Sequence, residues 1–268
     1  MDEGLIHRIH KREARKDLGT KIVGRKICSY DLVTSTNDLA HFFAQHHEPE
    51  GLVVFAKGQT HGRGRLGNTW VSPQGKGLYF SFILRPKLSL SKAPRVTLMT
   101  ALAVRRSLAD IHIEDVSIKW PNDVLVKNKK ICGILTELNV SAKKINYVVI
   151  GVGLNVLSEL HELPKEATSL KCISLREFDI ADLAHIIVKR IDEYYHRLQE
   201  DDFATMIDEI KEFSRLVLGG RVRVSWEDKE IEGYAVDFDE DGNLVIRRDN
   251  GFLEKISSGH LVLLSHKS

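Results

Sequence analysis

GQTHGRGRLGNTWVSPQGKGLYFSFIL, residues 58–84, opens with glycines and two arginines, passes one tryptophan and ends in eight apolar-rich residues. Glycine lets the backbone bend tightly and approach a ligand closely. Arg63 and Arg65 flank Gly64, so two guanidinium groups stand on a hinge able to order around an anion. Just before the loop, GLVVFAKGQ (51–59) reads as a buried strand, and GLYFSFIL (77–84) reads as a second. The glycine-rich segment is therefore a loop carried between two strands of one sheet. A basic, solvated loop with no ligand is the competing reading of the same residues.

Working outward, ICSYDLV (27–33) is a strand, and STND (35–38) starts a helix with Ser35 or Thr36 as its cap and Leu39, Phe42 and Phe43 on its apolar side. Residues 94–110 have helical spacing. VSIKW (116–120), VLVKN (124–128) and KICGILTEL (130–138) are strands, the last two forming a hairpin. INYVVIGVGLNV (145–156) is a buried strand containing two glycines. Residues 180–199 and 201–217 read as helices, and 3–18 as a short basic one. After Gly219–Gly220 come five short strands with turn signals between them, the pattern of a small barrel. The boundaries expected are an N-terminal extension over 1–26, a large domain over 27–217 and a small one over 218–268.

Composition narrows the class. The 268 residues are 43% hydrophobic and 28% charged, with formal net charge +2. A balance so near neutral argues against a general polyanion binder, so any phosphate site is local. Cys28, Cys132 and Cys172 are widely spaced and odd in number, which gives neither a disulfide framework nor a zinc site. A reducing cytosol is the expected compartment. No apolar run approaches the roughly 18 residues of a membrane span, and the charged N-terminus has no apolar signal core. The chain has no GxxxxGK[ST], GxSxG or HExxH, and GVGLN (151–155) is only a fragment of a dinucleotide fingerprint. No metal-ligand set is expected.

Four segments in this order, STND (35–38), GQTHGRGRLGNTW (58–70), KWPNDVLVKNKKICGIL (119–135) and GVGLN (151–155), closely resemble the biotin–protein ligase family. KWPND followed by KICGIL is one specific signature, and GRGR followed by WxSPxG is another. The resemblance runs from about residue 27 to the end. It implies an α+β fold, a mixed sheet flanked by helices like a class II synthetase catalytic domain, with a small C-terminal SH3-like β-barrel. It also implies a two-step reaction. Biotin and ATP with Mg²⁺ give biotinyl-5′-adenylate and pyrophosphate, and the acyl group then passes to one lysine of a biotin carboxyl carrier protein.

The first step brings a carboxylate to a polyanion, so a cation must lie between them. Lys130 is the family's motif lysine and is assigned that catalytic role, since its compact ammonium can reach both groups. Alternation along the strand turns its neighbour Lys129 the other way. Arg63 and Arg65 resemble the phosphate-loop arginines, Arg65 stabilising the adenylate and leaving pyrophosphate. By resemblance, Ser35, Thr36, Asn37 and Gln59 face the ureido ring of biotin with backbone of Gly62, Arg63 and Gly64. Gly133, Gly151 and Gly153 then give that ligand close approach. Trp70, Asn122 and Asn155 are assigned to ATP, Asn122 through Mg²⁺ and Asn155 at the adenine edge. Trp70 as a core aromatic stays open. Asp123 either orients the incoming lysine amine or acts as its base, or else closes a Pro-Asn-Asp turn.

Two departures limit the transfer. Relatives that regulate transcription place a winged helix-turn-helix before the catalytic domain, and residues 1–26 are too few for one, so no DNA binding is expected. Relatives also end the small domain with a GDVSLR-like run whose arginine reaches ATP, where this chain has Leu264 in GHLVLL (259–264). The other readings are a lipoate or octanoate ligase on the same fold and a non-catalytic biotin-binding regulator. A homodimer through sheet edges is expected by analogy.

Overall fold

The computed structural model describes residues 12–13, 18–226 and 229–264. Eight strands form one mixed sheet in the order β1-β2-β3-β4-β8-β7-β6-β5. These are β1 (Arg12–Glu13), β2 (Lys26–Val33), β3 (Leu52–Gln59), β4 (Gly77–Leu84), β5 (Val116–Lys119), β6 (Asp123–Val126), β7 (Lys129–Ser141) and β8 (Lys144–Asn155). β2 and β3 run parallel, and the remaining neighbours are antiparallel. Arg12–Glu13 pairs as a strand with Cys28 and Ser29, where a helix over 3–18 was expected. The rest of that expected helix up to residue 17 lies outside the described residues.

Side-chain alternation gives the sheet two different faces. On β8, Val148, Ile150, Val152 and Leu154 join the main core. That core lies beneath α2 (Pro94–Asp110), α4 (Ile180–Gln199) and α5 (Phe203–Phe213). Tyr147 and Val149 point the other way, into a smaller core with α1 (Thr36–Gln45). Gly151 and Gly153 continue that second face with no side chains, and Gly133 on β7 stands directly opposite Gly153. The sheet's α1 face is therefore apolar at one end and bare at the other. A short helix, α3 (Leu170–Ile173), is capped by the Ser169 hydroxyl accepting from Cys172 N–H.

The chain enters the large domain over a buried carboxylate. Asp192 on α4 accepts three backbone N–H bonds, from Lys21, Ile22 and Val23, at 2.7–2.8 Å. Charge-assisted bonds of this kind are roughly twice as strong as neutral ones, and removing one partner strands the other.

The small domain contains β9 (Arg221–Trp226), β10 (Lys229–Phe238), β11 (Leu244–Arg247), β12 (Leu253–Ile256) and β13 (His260–Leu263). All five expected strands form, but as an open antiparallel sheet in the order β12-β11-β10-β9-β13, which corrects the expected closed barrel. The three-residue link after β12 carries the chain to the opposite edge, where β13 pairs with β9, so the edges β12 and β13 do not bond to each other. This sheet is fixed to the large domain by Trp120, whose buried Nε1–H donates to the Gly242 carbonyl at 3.1 Å. The buried Arg95 also donates to Asp241 at 2.8 Å. Among the described residues no helix is long and apolar enough to cross a membrane.

Candidate active site

Residues from five separated segments meet over the bare end of the sheet, around a cleft. Ser35, Thr36, Asn37, Gln59, Arg63, Gly64, Arg65, Trp70, Asn122, Lys130, Gly133, Gly151 and Gly153 all line it. Gly62 lines the outer mouth under the loop. Asp123 is attached through Lys130, whose Nζ lies 2.7 Å from its Oδ1. Asn155 stands apart, buried with its amide donating to the Thr168 carbonyl at 3.0 Å. Its place at the end of β8, beyond the glycines, takes it out of the cleft lining.

The glycines are explained by what comes against them. A Cβ on Gly151 would lie 2.1 Å from Asn37 Oδ1, and one on Gly153 would lie 2.4 Å from Trp70 Nε1. On Gly133 it would meet the Trp70 ring at 2.8 Å, with Lys130 just beyond. These three positions therefore seat Asn37 and Trp70 directly on the sheet. Trp70 does not lie in the hydrophobic cores, and the Lys130 ammonium stands 5.3 Å from its ring centre.

Ser35 occupies the N-cap position of α1 in extended backbone, but its side chain makes no capping bond. Its hydroxyl is not used by the helix. A polar relay runs beside it. Ser81 donates to Asn37 Oδ1 at 2.5 Å and lies 2.7 Å from Thr36 Oγ1. Gln59 Oε1 accepts from the Thr36 N–H at 2.9 Å, and its amide donates to Ser72 at 2.8 Å. Ser72 in turn donates to the Trp70 carbonyl at 3.0 Å. Such a chain holds donors and acceptors in fixed directions for a neutral, multiply hydrogen-bonding ligand.

The loop closes on itself through Gly64 N–H to the Asn68 carbonyl at 2.7 Å. Leu66 at its tip has φ 54° and is exposed. Its two arginines diverge. Arg63 meets Asp38 at 2.5 Å and also Glu137. Arg65 turns towards the small domain and donates to Asn122 Oδ1 at 2.8 Å and to the Gly259 carbonyl at 3.2 Å, with Ser258 Oγ at 3.4 Å. Burial pulls the Arg65 guanidinium below its usual range, against the opposing pull of Asp123. Of the two motif lysines, Lys129 is exposed and Lys130 turns into the cleft.

The sequence reading did not select Ser72, Ser81, Asp38, Glu137 or the Ser258–Gly259 turn. Ser81 had a signal, as the lone hydroxyl in the apolar run GLYFSFIL at a position alternating with the core-facing Phe80 and Phe82. Glu137 had one too, four residues after Gly133 on the same strand face. The Ser258–Gly259 contact had none, because it depends on how two domains pack.

Residues 29–155 match the Biotin/lipoate A/B protein ligase family, and residues 217–263 match the Biotin protein ligase C terminal domain. The chain is 33% identical over 260 residues to the Bifunctional ligase/repressor BirA of Bacillus subtilis, covering 96% of this chain and 79% of that protein. The chain belongs to the biotin–protein ligase family. It is also 30% identical to the Biotin--[acetyl-CoA-carboxylase] ligase of Mycobacterium tuberculosis, over 79% of each chain. Among solved structures it resembles the biotin protein ligase from Aquifex aeolicus in complex with biotin and ATP, with TM-score 0.75 and 32% identity over 90% of this chain and 99% of that one. The expected mixed sheet with flanking helices and a small C-terminal sheet domain is thus the family's architecture.

Proposed function

We propose that this protein is a biotin–protein ligase. It joins biotin to ATP as biotinyl-5′-adenylate and then transfers the biotinyl group to one lysine of a biotin carboxyl carrier protein. The observation that carries this reading is the placement of Lys130. Its ammonium stands in the cleft beside Trp70, held by Asp123 at 2.7 Å, between the polar relay and the glycine-rich loop.

In the first step a biotin carboxylate oxygen attacks the α-phosphorus, and the bond from that phosphorus to the pyrophosphate oxygen breaks. Lys130 offsets the repulsion between the two anions, and Arg65 takes up charge on the phosphate side. The relay from Asn37 to Ser72 supplies directed groups for the ureido end. In the second step the carrier's lysine nitrogen attacks the acyl carbon, the carbon–oxygen bond to AMP breaks, and the amine loses a proton, for which Asp123 is the nearby acceptor. Closure of the loop keeps water from the mixed anhydride between the steps.

Among the described residues no cluster of three His, Cys, Asp or Glu could hold a metal ion. Mg²⁺ would arrive on ATP, since that ion usually keeps to one or two carboxylates plus substrate phosphates. Asn122 in the cleft, with the Asp123 carboxylate beside it, would hold the ion, which would neutralise phosphate charge there. We further propose that a homodimer forms through a sheet edge, and that the carrier approaches the mouth lined by Gly62 and Glu137.

Exchange of labelled pyrophosphate into ATP tests the reading. Exchange should occur with biotin, fail with lipoate or octanoate, and be lost in Lys130→Ala by about a hundredfold or more. Exchange with lipoate alone would move the activity to the other ligase class. No exchange with any acid would leave a binding role.

A further inference from the structure

We propose that Glu137 is a positioning residue that latches the glycine-rich loop over the cleft and so sets how long the activated acyl group stays there. The proposal rests on the ligase reading for its consequence, but its geometry stands without it.

Strand alternation puts Gly133, Leu135 and Glu137 on one face of β7. Gly133 leaves the trough bare, Leu135 lines it, and Glu137 closes its outer end beside Arg63 and Gly62. The carboxylate divides its two oxygens. Oε1 takes the Arg63 guanidinium from the loop. Oε2 accepts from the Asn37 amide at 2.7 Å and stands 3.4 Å from His41 Nε2. Asn37 is the first member of the relay that ends on the Trp70 carbonyl. One carboxylate therefore holds the loop at both ends, directly at Arg63 and through the relay at Trp70.

The charge balance points the same way. Arg63 carries one positive charge and faces two carboxylates, Asp38 and Glu137. A guanidinium already neutralised twice is a poor site for another anion and a strong tether. Without it, two carboxylates from α1 and β7 would face each other, so loop and latch hold only together.

The test compares wild type with Glu137→Gln and Glu137→Asp, each preloaded with biotin and ATP. Glutamine keeps the size and the acceptor for Asn37 but loses the charge that holds Arg63. Release of biotinyl-adenylate should rise about tenfold in Glu137→Gln, the scale of one charge-assisted bond. Labelling of bovine albumin should rise with it, while pyrophosphate exchange at saturating substrates falls by a smaller factor. Glu137→Asp should restore much of the retention. Tryptic cleavage after Arg63 or Arg65, measured without any ligand, should speed up in the same order. Should Glu137→Gln not fold, Asp38→Asn should shift release and cleavage in the same direction, less strongly. Unchanged release and cleavage, in a wild type that exchanges pyrophosphate with biotin, would overturn the latch alone. Release and exchange changing by one common factor would overturn it too, by making Glu137 merely structural. No exchange in wild type would remove the ligase reading and the latch's catalytic consequence with it, whereas cleavage would still report on the tether.

Discussion

The two sides of the cleft hold two arginines of one loop in opposite ways. On the side of α1 and β7, Arg63 is half-exposed and matched by two carboxylates. On the side of β6 and the small domain, Arg65 is more buried and bonded to neutral oxygens of Asn122, Ser258 and Gly259. No described carboxylate lies within ion-pair distance of Arg65. Neutral acceptors fix the direction of a guanidinium without cancelling its charge, so in the proposed reaction Arg65 meets the anion while Arg63 ties the loop down. Neighbouring residues of one motif thus acquire different work from the elements they fold against.

The largest effect should separate the two. Arg65→Ala should lower pyrophosphate exchange about a hundredfold or more, the scale of a lost charge-stabilising donor, and Arg63→Ala only about tenfold. Equal losses would break the comparison. Because Arg65 also bridges the loop to the small domain, Arg65→Gly should label bovine albumin indiscriminately; labelling confined to the carrier would show that this contact does not retain the adenylate.

The small-domain side can be loosened from a distance. Arg95→Ala removes the bonds to Asp241 and should cost about 2 kcal/mol of stability, seen in chemical denaturation. It should raise KM for ATP more than KM for biotin. The reverse split would mean that the Ser258–Gly259 turn does not serve the ATP side.

The α1 side can be probed through its glycine floor. Gly151→Ala places a methyl against Asn37 Oδ1, whose distance to the added Cβ would be 2.1 Å. It should destabilise the fold by about 1–2 kcal/mol and raise KM for biotin, leaving KM for ATP nearly unchanged. A silent substitution would show that Asn37 is free to move.

The smallest effect is on pH. Burial, and then the Arg63 charge, hold the His41 imidazole below its usual 6.5, against Asp38. It also lies near Glu137 and Tyr147. The ring is neutral in folded and unfolded states above 6.5, so its contribution to stability is intact there. It is lost as pH falls below 6.5 towards the lower folded value. His41→Gln should flatten the fall in Tm between pH 7 and 5 by about 2 °C or less. An unchanged slope would mean that other groups carry the acid sensitivity of this side.

Much of this was legible in the chain. Continuous apolar runs such as GLYFSFIL and INYVVIGVGLNV mark strands because both of their faces are buried, and Pro94–Asp110 shows helical spacing because one side of it packs on the core. The cleft residues were legible because their motifs concentrate glycine and cations where ordinary packing needs neither. Asn155 lies outside the cleft lining, and its assignment to the adenine edge rests on the motif alone, which gives order along the chain but not the height at which a strand leaves the site. The small barrel was expected from strand count, whereas closure depends on whether two edges meet.

The sequence alone determined the family, the seven strands β2 to β8 of the large sheet though not their order, and the lysine and arginines of the cleft motifs, since alternation, turns and charge are local properties. Tertiary structure decided which carboxylates face Arg63, that Arg65 reaches the Ser258–Gly259 turn, and that Gly133 and Gly153 seat Trp70. Those depend on distances between segments up to 194 positions apart, which only the packing of the two sheets and their helices sets.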